Sequence, residues 1–141
     1  MLRNIPGCIS PDLMHALMSM GHGDEIILAD ADFPAATCAR RLIRADGIPL
    51  AILLEAILPF FPLDSFVDHP VATMDPAGWG GQEPESYRRF RETIKRHAAG
   101  FQGFELIDRQ DFYYRARQAY AVVVTGEADG NLLLKKGPVM M

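Results

Sequence analysis

The apolar run Ala-Val-Val-Val at residues 121–124 is the strongest strand signal in the chain. Outward from this run in both directions, segments with strand character alternate with segments whose apolar residues recur at helical spacing. Strands that alternate with helices indicate a sheet that is covered by helices. The sequence therefore predicts an α/β protein, a single-domain three-layer sandwich around a mixed, largely parallel sheet.

The segments around this run indicate where the elements begin and end. The first helix should begin at Ser10-Pro11, an N-cap followed by proline, and end at Gly21. An apolar helix over 49–58 should be buried nearly all round, and the Pro/Gly-rich stretch 75–84 around Trp79 predicts a long surface loop of the kind that often carries function. Further strands are predicted over 26–29, 42–44, 71–74, 104–107 and 132–134, and further helices over 85–98 and 111–119.

Length and composition indicate that the chain can form one stable domain, and its net charge limits which classes of partner it can attract. The chain has 141 residues, of which 49% are hydrophobic, so it can bury a core without disulfides or structural metal. Asp and Glu outnumber Lys and Arg by 18 to 14, and the resulting formal net charge of -4 offers no long-range attraction for phosphate backbones or anionic lipids. We therefore expect one domain over residues 1–141, with neither nucleic acid nor a membrane as a partner.

Cysteine usage and the apolar segments indicate the compartment. Cys8 and Cys38 are the only cysteines, too few for a disulfide framework or a zinc site. The first residues lack the long apolar run of an export signal. The most apolar stretch, 48–63, is interrupted by Glu55 and three prolines and is too short to cross a bilayer. We expect a soluble protein in the reducing cytoplasm.

His22 is the first candidate for acid–base chemistry. It stands between Gly21 and Gly23 at a turn from helix to strand, where the side chain should be free of large neighbours. Imidazole groups can donate and accept protons at physiological pH. The alternative is a surface histidine that caps a carbonyl.

Asp30 is the second candidate, because it follows the strand 26–29 at the edge where open α/β sheets place ligand groups. A carboxylate at this edge can hold a sugar hydroxyl. The alternative is that Asp30 or Asp32 organises the turn before Pro34. The nearby acidic residues and His22 lack a recognised spacing of metal ligands, so we expect no metal site.

Arg109 is the third candidate, because its guanidinium offers several donors to hydroxyl oxygens. The alternative is a surface ion pair with Asp108 or Asp111. The sequence contains no GxSxG, P-loop, GxGxxG or HExxH motif, so nothing supports a hydrolase triad, a nucleotide-binding fold or a zinc protease.

Three longer motifs occur in order along the chain. They are Gly-His-Gly-Asp-Glu at 21–25, Ile-Arg-Ala-Asp-Gly at 43–47, and Gly-Asn-Leu-Leu-Leu-Lys-Lys-Gly at 130–137. Through these motifs the chain resembles the L-fucose mutarotase and D-ribose pyranase family over almost its whole length. The sequences of the motifs are more similar to those of the fucose branch. Shorter matches are Asp30, Phe33-Pro34, Phe112-Tyr113 and Thr125-Gly126-Glu127.

The resemblance implies a fold, an assembly and an activity. The family has an α/β fold, forms rings of five subunits that stack into decamers, and interconverts sugar anomers without a cofactor. The implied enzyme is an isomerase of carbohydrate metabolism that acts on a monosaccharide. Among the monosaccharides, the resemblance favours L-fucose as the substrate. A homo-oligomer, pentamer or decamer, also agrees with the apolar C-terminal residues 138–141.

The resemblance also assigns roles to the matching residues. His22 resembles the catalytic proton donor of the family, which would act on the ring oxygen of the sugar. Asp30 and Arg109 resemble its sugar-binding residues. Gly130-Asn131 resembles the end of its Tyr-Gly-Asn sugar-binding segment, and here Asp129 takes the place of the tyrosine.

The change from tyrosine to Asp129 leaves three interpretations open. Asp129 takes a polar role in the site, Tyr113 fills in for the missing ring, or the site has changed its substrate or lost activity. Two alternatives to a fucose mutarotase therefore remain. One is a ribose pyranase, which interconverts pyranose and furanose forms by the same ring opening, and the other is a non-catalytic monosaccharide-binding accessory protein.

Overall fold

A computed structural model describes residues 1–140 of the chain, so Met141, the last residue of the apolar C-terminal stretch, lies outside the described residues. Helices and strands alternate along the chain until two strands follow one another at its end, and short 3-10 turns at Leu58–Phe60 and Pro76–Trp79 follow one helix and one strand. No helix among the described residues is long and apolar enough to cross a membrane. The elements are α1 (Pro11–Ser19), β1 (Glu25–Ala29), α2 (Ala35–Cys38), β2 (Leu42–Arg44), α3 (Leu50–Ile57), β3 (Val71–Met74), α4 (Glu85–His97), β4 (Glu105–Ile107), α5 (Arg109–Gln118), β5 (Ala121–Val124) and β6 (Leu132–Lys135).

The six strands form one mixed sheet in the order β2-β5-β1-β6-β3-β4. β1 pairs in parallel with β5, β5 with β2, and β3 with β4, whereas β6 runs antiparallel to both β1 and β3. Five strands therefore share one direction and β6 opposes them. The predicted mixed, largely parallel sheet is confirmed.

Helices cover both faces of the sheet, which makes three layers. Ile26 and Leu28 of β1 face a core cluster that includes residues of α1, α3 and α4. Ile27 and Ala29 face the other way, into a second cluster that α2 and α5 complete. This alternation follows from the two-residue period of a strand, and each fully buried leucine or isoleucine contributes about 1.5–3 kcal/mol.

The structure corrects three details of the sequence-based expectation. α3 is not buried all round, because Ile52, 56% exposed, and Glu55 lie on its outward face. The stretch 75–84 is not entirely loop, since Asp75 caps a 3-10 turn by accepting a hydrogen bond from the Ala77 N–H. The short helix α2 falls in the segment after Asp32, where only a turn is expected from the sequence.

The antiparallel course of β6 decides which residues share an edge of the sheet. The carboxyl ends of β1, β3 and β4 lie at the same edge as the amino end of β6, because β6 runs against the other strands. Asp30, Trp79, Arg109 and Asn131 follow or precede these ends and therefore lie at this edge. His22 precedes β1 and lies at the opposite edge, beside Lys136 after β6.

Candidate functional site

A cavity of about 340 Å³ opens at the carboxyl edge of the sheet. Five of the six residues predicted to form the site lie in its wall: Asp30, Arg109, Asp129, Gly130 and Asn131. The parallel strands and the reversed β6 bring them together from distant parts of the sequence. The structure thus places the predicted binding residues around one cavity.

Asp30 and Asn131 form a reciprocal hydrogen-bonded pair at the base of this group. The Asn131 side-chain amide donates to Oδ2 of Asp30 at 3.1 Å, and the Asp30 backbone N–H donates to Oδ1 of Asn131 at 2.8 Å. The N–H groups of Gly130 and Asp32 donate to the same carboxylate at 3.2 and 3.1 Å. Asp30 is only 8% exposed, and burial raises its pKa more than these hydrogen bonds lower it.

Gly130 allows the turn before β6 to approach α4 closely. Its φ is +134°, and a Cβ added there would lie 2.6 Å from the Ser86 hydroxyl oxygen and 2.9 Å from the Phe90 ring. The Ser86 hydroxyl donates a hydrogen bond to the Asp129 backbone carbonyl. The turn is therefore held against α4, and this contact places Asp129 at the rim of the cavity.

Arg109 begins α5 and pairs with an aromatic side chain of the same helix. Its Nε–H donates to the Tyr113 hydroxyl at 3.0 Å, one turn along. Among the ion pairs of residues 1–140 none involves Arg109, so the alternative ion pair with Asp108 or Asp111 is wrong. Asp108 instead caps α5 by accepting from the Asp111 N–H at 2.7 Å. The remaining N–H groups of Arg109 are available to hydroxyl oxygens in the cavity.

Aromatic side chains form the less polar part of the wall. Trp79, 46% exposed, ends the 3-10 turn after β3, and Tyr113 of α5 lies in the same wall. Tyr87 is buried, and its hydroxyl donates to the Met74 carbonyl at 2.8 Å. Aromatic faces beside fixed hydroxyl-binding groups suit a small molecule with one polar and one less polar face.

His22 lies away from this cavity. Residues 24 to 30 run extended through β1 and span on the order of 20 Å, so His22 and Asp30 lie at opposite ends of the strand. The Gly23 N–H donates to the Lys136 carbonyl at 2.8 Å and fixes the turn of His22 to the end of β6. A single subunit therefore does not place the candidate acid and the candidate binding residues in one site.

His22 has neighbours that sequence analysis did not predict. Its Nε2 lies 3.1 Å from Oδ1 of Asp64, and its ring centre lies 5.1 Å from that of Phe66. The expectation that the side chain is free of large neighbours is thus wrong. The His22 side chain is still 44% exposed, so its ring can meet a group from outside the subunit.

Asp64 is a functional candidate that no sequence motif indicated. Burial raises its pKa, but hydrogen bonds from the Phe66 N–H and from His22 outweigh this effect, and the pKa of Asp64 lies below its usual range. Asp64 is 42 residues from His22 along the chain. Long-range contacts with the end of β6 bring them together: Leu63 pairs with Lys136, and the Asp64 N–H donates to the Lys135 carbonyl. Contacts of this kind leave no local sequence pattern.

The two ends of the sheet thus offer different chemistry. The carboxyl edge can hold hydroxyl groups through Asp30, Asn131 and Arg109, and the opposite edge presents an imidazole that can transfer a proton. Among residues 1–140, no three His, Cys, Asp or Glu side chains converge in a way that could hold a metal ion.

Comparisons with known proteins identify the family. The sequence profile described as the RbsD / FucU transport protein family matches residues 3–139. The L-fucose mutarotase of Haemophilus influenzae (strain PittGG) is 45% identical over 139 residues, which cover 97% of this chain and 96% of that protein. The L-fucose mutarotase of Actinobacillus pleuropneumoniae serotype 5b (strain L20) is 43% identical over the same shares of the two chains.

Solved structures agree with the sequence relatives. The fucose mutarotase of Streptococcus pneumoniae, solved in complex with L-fucose, superposes with a TM-score of 0.90 at 44% identity and covers 99% of this chain and 100% of that chain. Bacillus subtilis RbsD, solved with D-ribose, superposes with a TM-score of 0.72 at 17% identity over 94% and 95% of the two chains, and this likeness shows the shared fold. The chain therefore belongs to the RbsD / FucU transport protein family.

Proposed function

We propose that the chain is a mutarotase, a carbohydrate isomerase that interconverts the α and β anomers of L-fucose by general acid–base ring opening and without a cofactor. The observation that carries this proposal is the cavity at Asp30, in a chain 45% identical over nearly its whole length to a protein named L-fucose mutarotase. The polar groups of the cavity match the hydroxyl-rich face of a monosaccharide.

Anomer exchange requires two proton transfers. A proton is added to the ring oxygen and the anomeric hydroxyl loses its proton, while the bond between C1 and the ring oxygen breaks. The open aldehyde then rotates about C1–C2 and closes on its other face, with both transfers reversed. His22 is the acid toward the ring oxygen, and the proton of the anomeric hydroxyl leaves to solvent.

The residues of the cavity hold the sugar while its ring opens. A carboxylate offers about four lone-pair positions, and three of those on Asp30 accept from Asp32, Gly130 and Asn131. About one position therefore remains for a sugar hydroxyl. Arg109 supplies donors in the same cavity, so the sugar is held by an acceptor and a donor that are themselves fixed.

If His22 and Asp30 act on the same sugar, their separation within one subunit is bridged by a second copy of the chain. We propose a homo-oligomer, a ring of five subunits or a stacked decamer, in which His22 of one subunit faces the Asp30 cavity of another. The exposed His22 ring and exposed apolar side chains such as Met18, Val139 and Met140 support this assembly. In a ring of five subunits such a contact is heterologous, and heterologous contacts form a ring when the rotation from one subunit to the next closes.

The proposed location is the cytoplasm. Cys8 and Cys38 are free thiols, and Cys38 is buried. Free cysteines are usual in a reducing compartment, which supports this location.

Saturation-transfer NMR of the anomeric protons tests the activity. With L-fucose, the rate of exchange between the α and β signals should rise in proportion to protein concentration. A ribose pyranase would instead accelerate pyranose–furanose exchange of D-ribose and leave L-fucose at its spontaneous rate. A protein that binds L-fucose without accelerating either exchange would be an accessory sugar-binding protein, and the proposal would be wrong.

Asp129 is proposed to set substrate preference, because it lies in the cavity wall where the family has tyrosine. A carboxylate accepts hydrogen bonds, whereas tyrosine adds an apolar ring face. The Asp129→Tyr variant should raise the ratio of the L-fucose rate to the rate of its 6-hydroxylated counterpart, L-galactose, by roughly tenfold, the size of one hydrogen bond to a charged group. Exchange rates for both sugars measure this ratio.

The control for this variant is Ala128→Tyr, which adds the same ring at the neighbouring exposed position outside the cavity wall. It should leave the ratio unchanged. An equal ratio in the Asp129→Tyr variant and the unmodified protein would show that position 129 does not face the sugar.

A further inference from the structure

We propose that Trp79 is a sugar-binding residue whose indole ring packs against the apolar C–H face of the monosaccharide, and that it favours sugars in which this face includes a C6 methyl group. The inference rests on the proposed function for the identity of the sugar. The position of Trp79 in the cavity wall stands on the structure alone.

Trp79 presents a large aromatic ring to the cavity instead of burying it in the core. It belongs to neither core cluster and is 46% exposed, which makes it the most exposed aromatic residue of the wall. The neighbouring apolar wall residues Phe33 and Met74 are buried. An uncovered apolar ring beside fixed polar groups is the arrangement that binds a small ligand with two unlike faces. Trp79 is therefore available to a ligand in the cavity.

The backbone is fixed on both sides of Trp79. The Asp75 N–H, at the start of the turn, donates to the Ile107 carbonyl at 2.7 Å. Gly80, directly after Trp79, has a φ of +100°, and its N–H donates to the Pro76 carbonyl. Glycine adopts this left-handed conformation without strain, so the chain can reverse immediately after the tryptophan. The turn thus holds Trp79 at a defined place on the wall.

The sheet order relates Trp79 to the residues that bind hydroxyl groups. The turn follows β3, which lies between β4 and β6. Arg109 comes two residues after the end of β4, and Asn131 comes directly before β6. The hydrogen bond from Asp75 to Ile107 also joins the turn to the segment that leads into Arg109. Trp79 therefore follows the strand that is flanked by those of two predicted binding residues.

A pyranose sugar offers two kinds of surface to such a wall. Its hydroxyl groups suit Asp30, Asn131 and Arg109, which accept or donate hydrogen bonds. In a sugar of galacto configuration, the C–H groups of C3, C4 and C5 form one apolar face, and in L-fucose the C6 methyl extends it. The negative face of an indole ring attracts polarised C–H groups and is large enough to cover them. Trp79 therefore recognises the apolar face, and the methyl group supplies part of the contact.

Intrinsic fluorescence tests the contact directly, because Trp79 is the only tryptophan of the chain. L-Fucose should shift the tryptophan emission to shorter wavelength, since the sugar replaces water at an exposed indole ring. The midpoint of this titration should equal the Kd that calorimetry gives for the unmodified protein. Emission that stays unchanged while calorimetry shows saturation would overturn the proposal.

The Trp79→Ala variant tests the contribution to affinity. The Kd for L-fucose should rise roughly 10-fold, the effect expected from loss of one aromatic contact and of the apolar area that it buries. The Trp79→Phe variant keeps a smaller aromatic face and should recover part of the affinity. An unchanged Kd in Trp79→Ala would refute the proposal. The fold should persist in both variants because Trp79 lies outside the core clusters, and circular dichroism checks it.

A pair of sugars isolates the methyl contact. D-Arabinopyranose has the ring and the hydroxyl configuration of L-fucose and lacks only the C6 methyl group. The unmodified protein should bind L-fucose more tightly than D-arabinose, and Trp79→Ala should lower this preference roughly fourfold, the contribution of one buried methyl group. An equal preference in the variant and the unmodified protein would mean that Trp79 does not contact the methyl group, and the proposal would be wrong.

Tyr114→Ala is the matched control, because Tyr114 is an aromatic residue of α5 that is 62% exposed and lies outside the cavity wall. It should change neither the Kd for L-fucose nor the preference over D-arabinose. If the unmodified protein does not bind L-fucose in calorimetry, the proposed function fails and this inference fails with it. Binding without a change in the fluorescence of Trp79 would overturn this inference alone.

Discussion

The His22→Asn variant should lose the acceleration of anomer exchange by about 10² to 10⁴-fold, the usual contribution of a general acid. Asparagine keeps a polar side chain of moderate size at this half-exposed turn but does not transfer protons. The fold should persist, because His22 contributes no side chain to either core cluster. Saturation-transfer NMR with L-fucose measures the rate, and circular dichroism checks the fold.

His15→Asn serves as the matched control, because His15 is an exposed histidine on α1. It should exchange L-fucose anomers at the original rate. If the His22→Asn variant also exchanges them at the original rate, His22 is not the acid and the mechanism is wrong.

The Asp30→Asn variant should lose sugar affinity by about 10- to 100-fold, because hydrogen bonds to charged groups contribute about 1.5–3 kcal/mol each. The change removes the ionised acceptor and places amide hydrogens near the N–H groups of Gly130 and Asp32. Calorimetric titration with L-fucose measures the Kd.

The Asp68→Asn variant provides the comparison, because it removes one exposed carboxylate outside the cavity. The expected result is an unchanged Kd for that variant and a raised Kd for Asp30→Asn. Equal affinities in both variants would mean that the Asp30 carboxylate does not bind the sugar.

Much of the fold was predictable from local signals. Ala121–Val124 and Ile26 to Ala29 are uninterrupted apolar runs, and such runs indicate strands without knowledge of their neighbours. α2 was missed because four residues are too few to display a helical period. The partial exposure of α3 was missed because the hydrophobicity of a largely apolar helix does not show which of its faces packs against other elements and which is exposed.

The site was predictable in part. Asp30 could be placed at the ligand edge because it directly follows a strand, and Arg109 was a candidate because its guanidinium offers several donors. The segment Asp129 to Asn131 followed from the family resemblance. The separation of His22 from Asp30 follows from the strand between them, because an extended segment cannot bring its two ends together. The partner of His22 was not predictable, since Asp64 reaches it only through the packing of 63–66 against the end of β6.

Mixed oligomers test whether one catalytic site combines His22 of one subunit with Asp30 of another. His22→Asn and Asp30→Asn chains, each defective alone, are co-expressed in equal amounts and assembled together. At a heterologous contact, chance pairs an intact His22 with an intact Asp30 in roughly one site in four, so about a quarter of the original exchange rate should return. Mixed oligomers that remain as inactive as the separate variants would contradict the account.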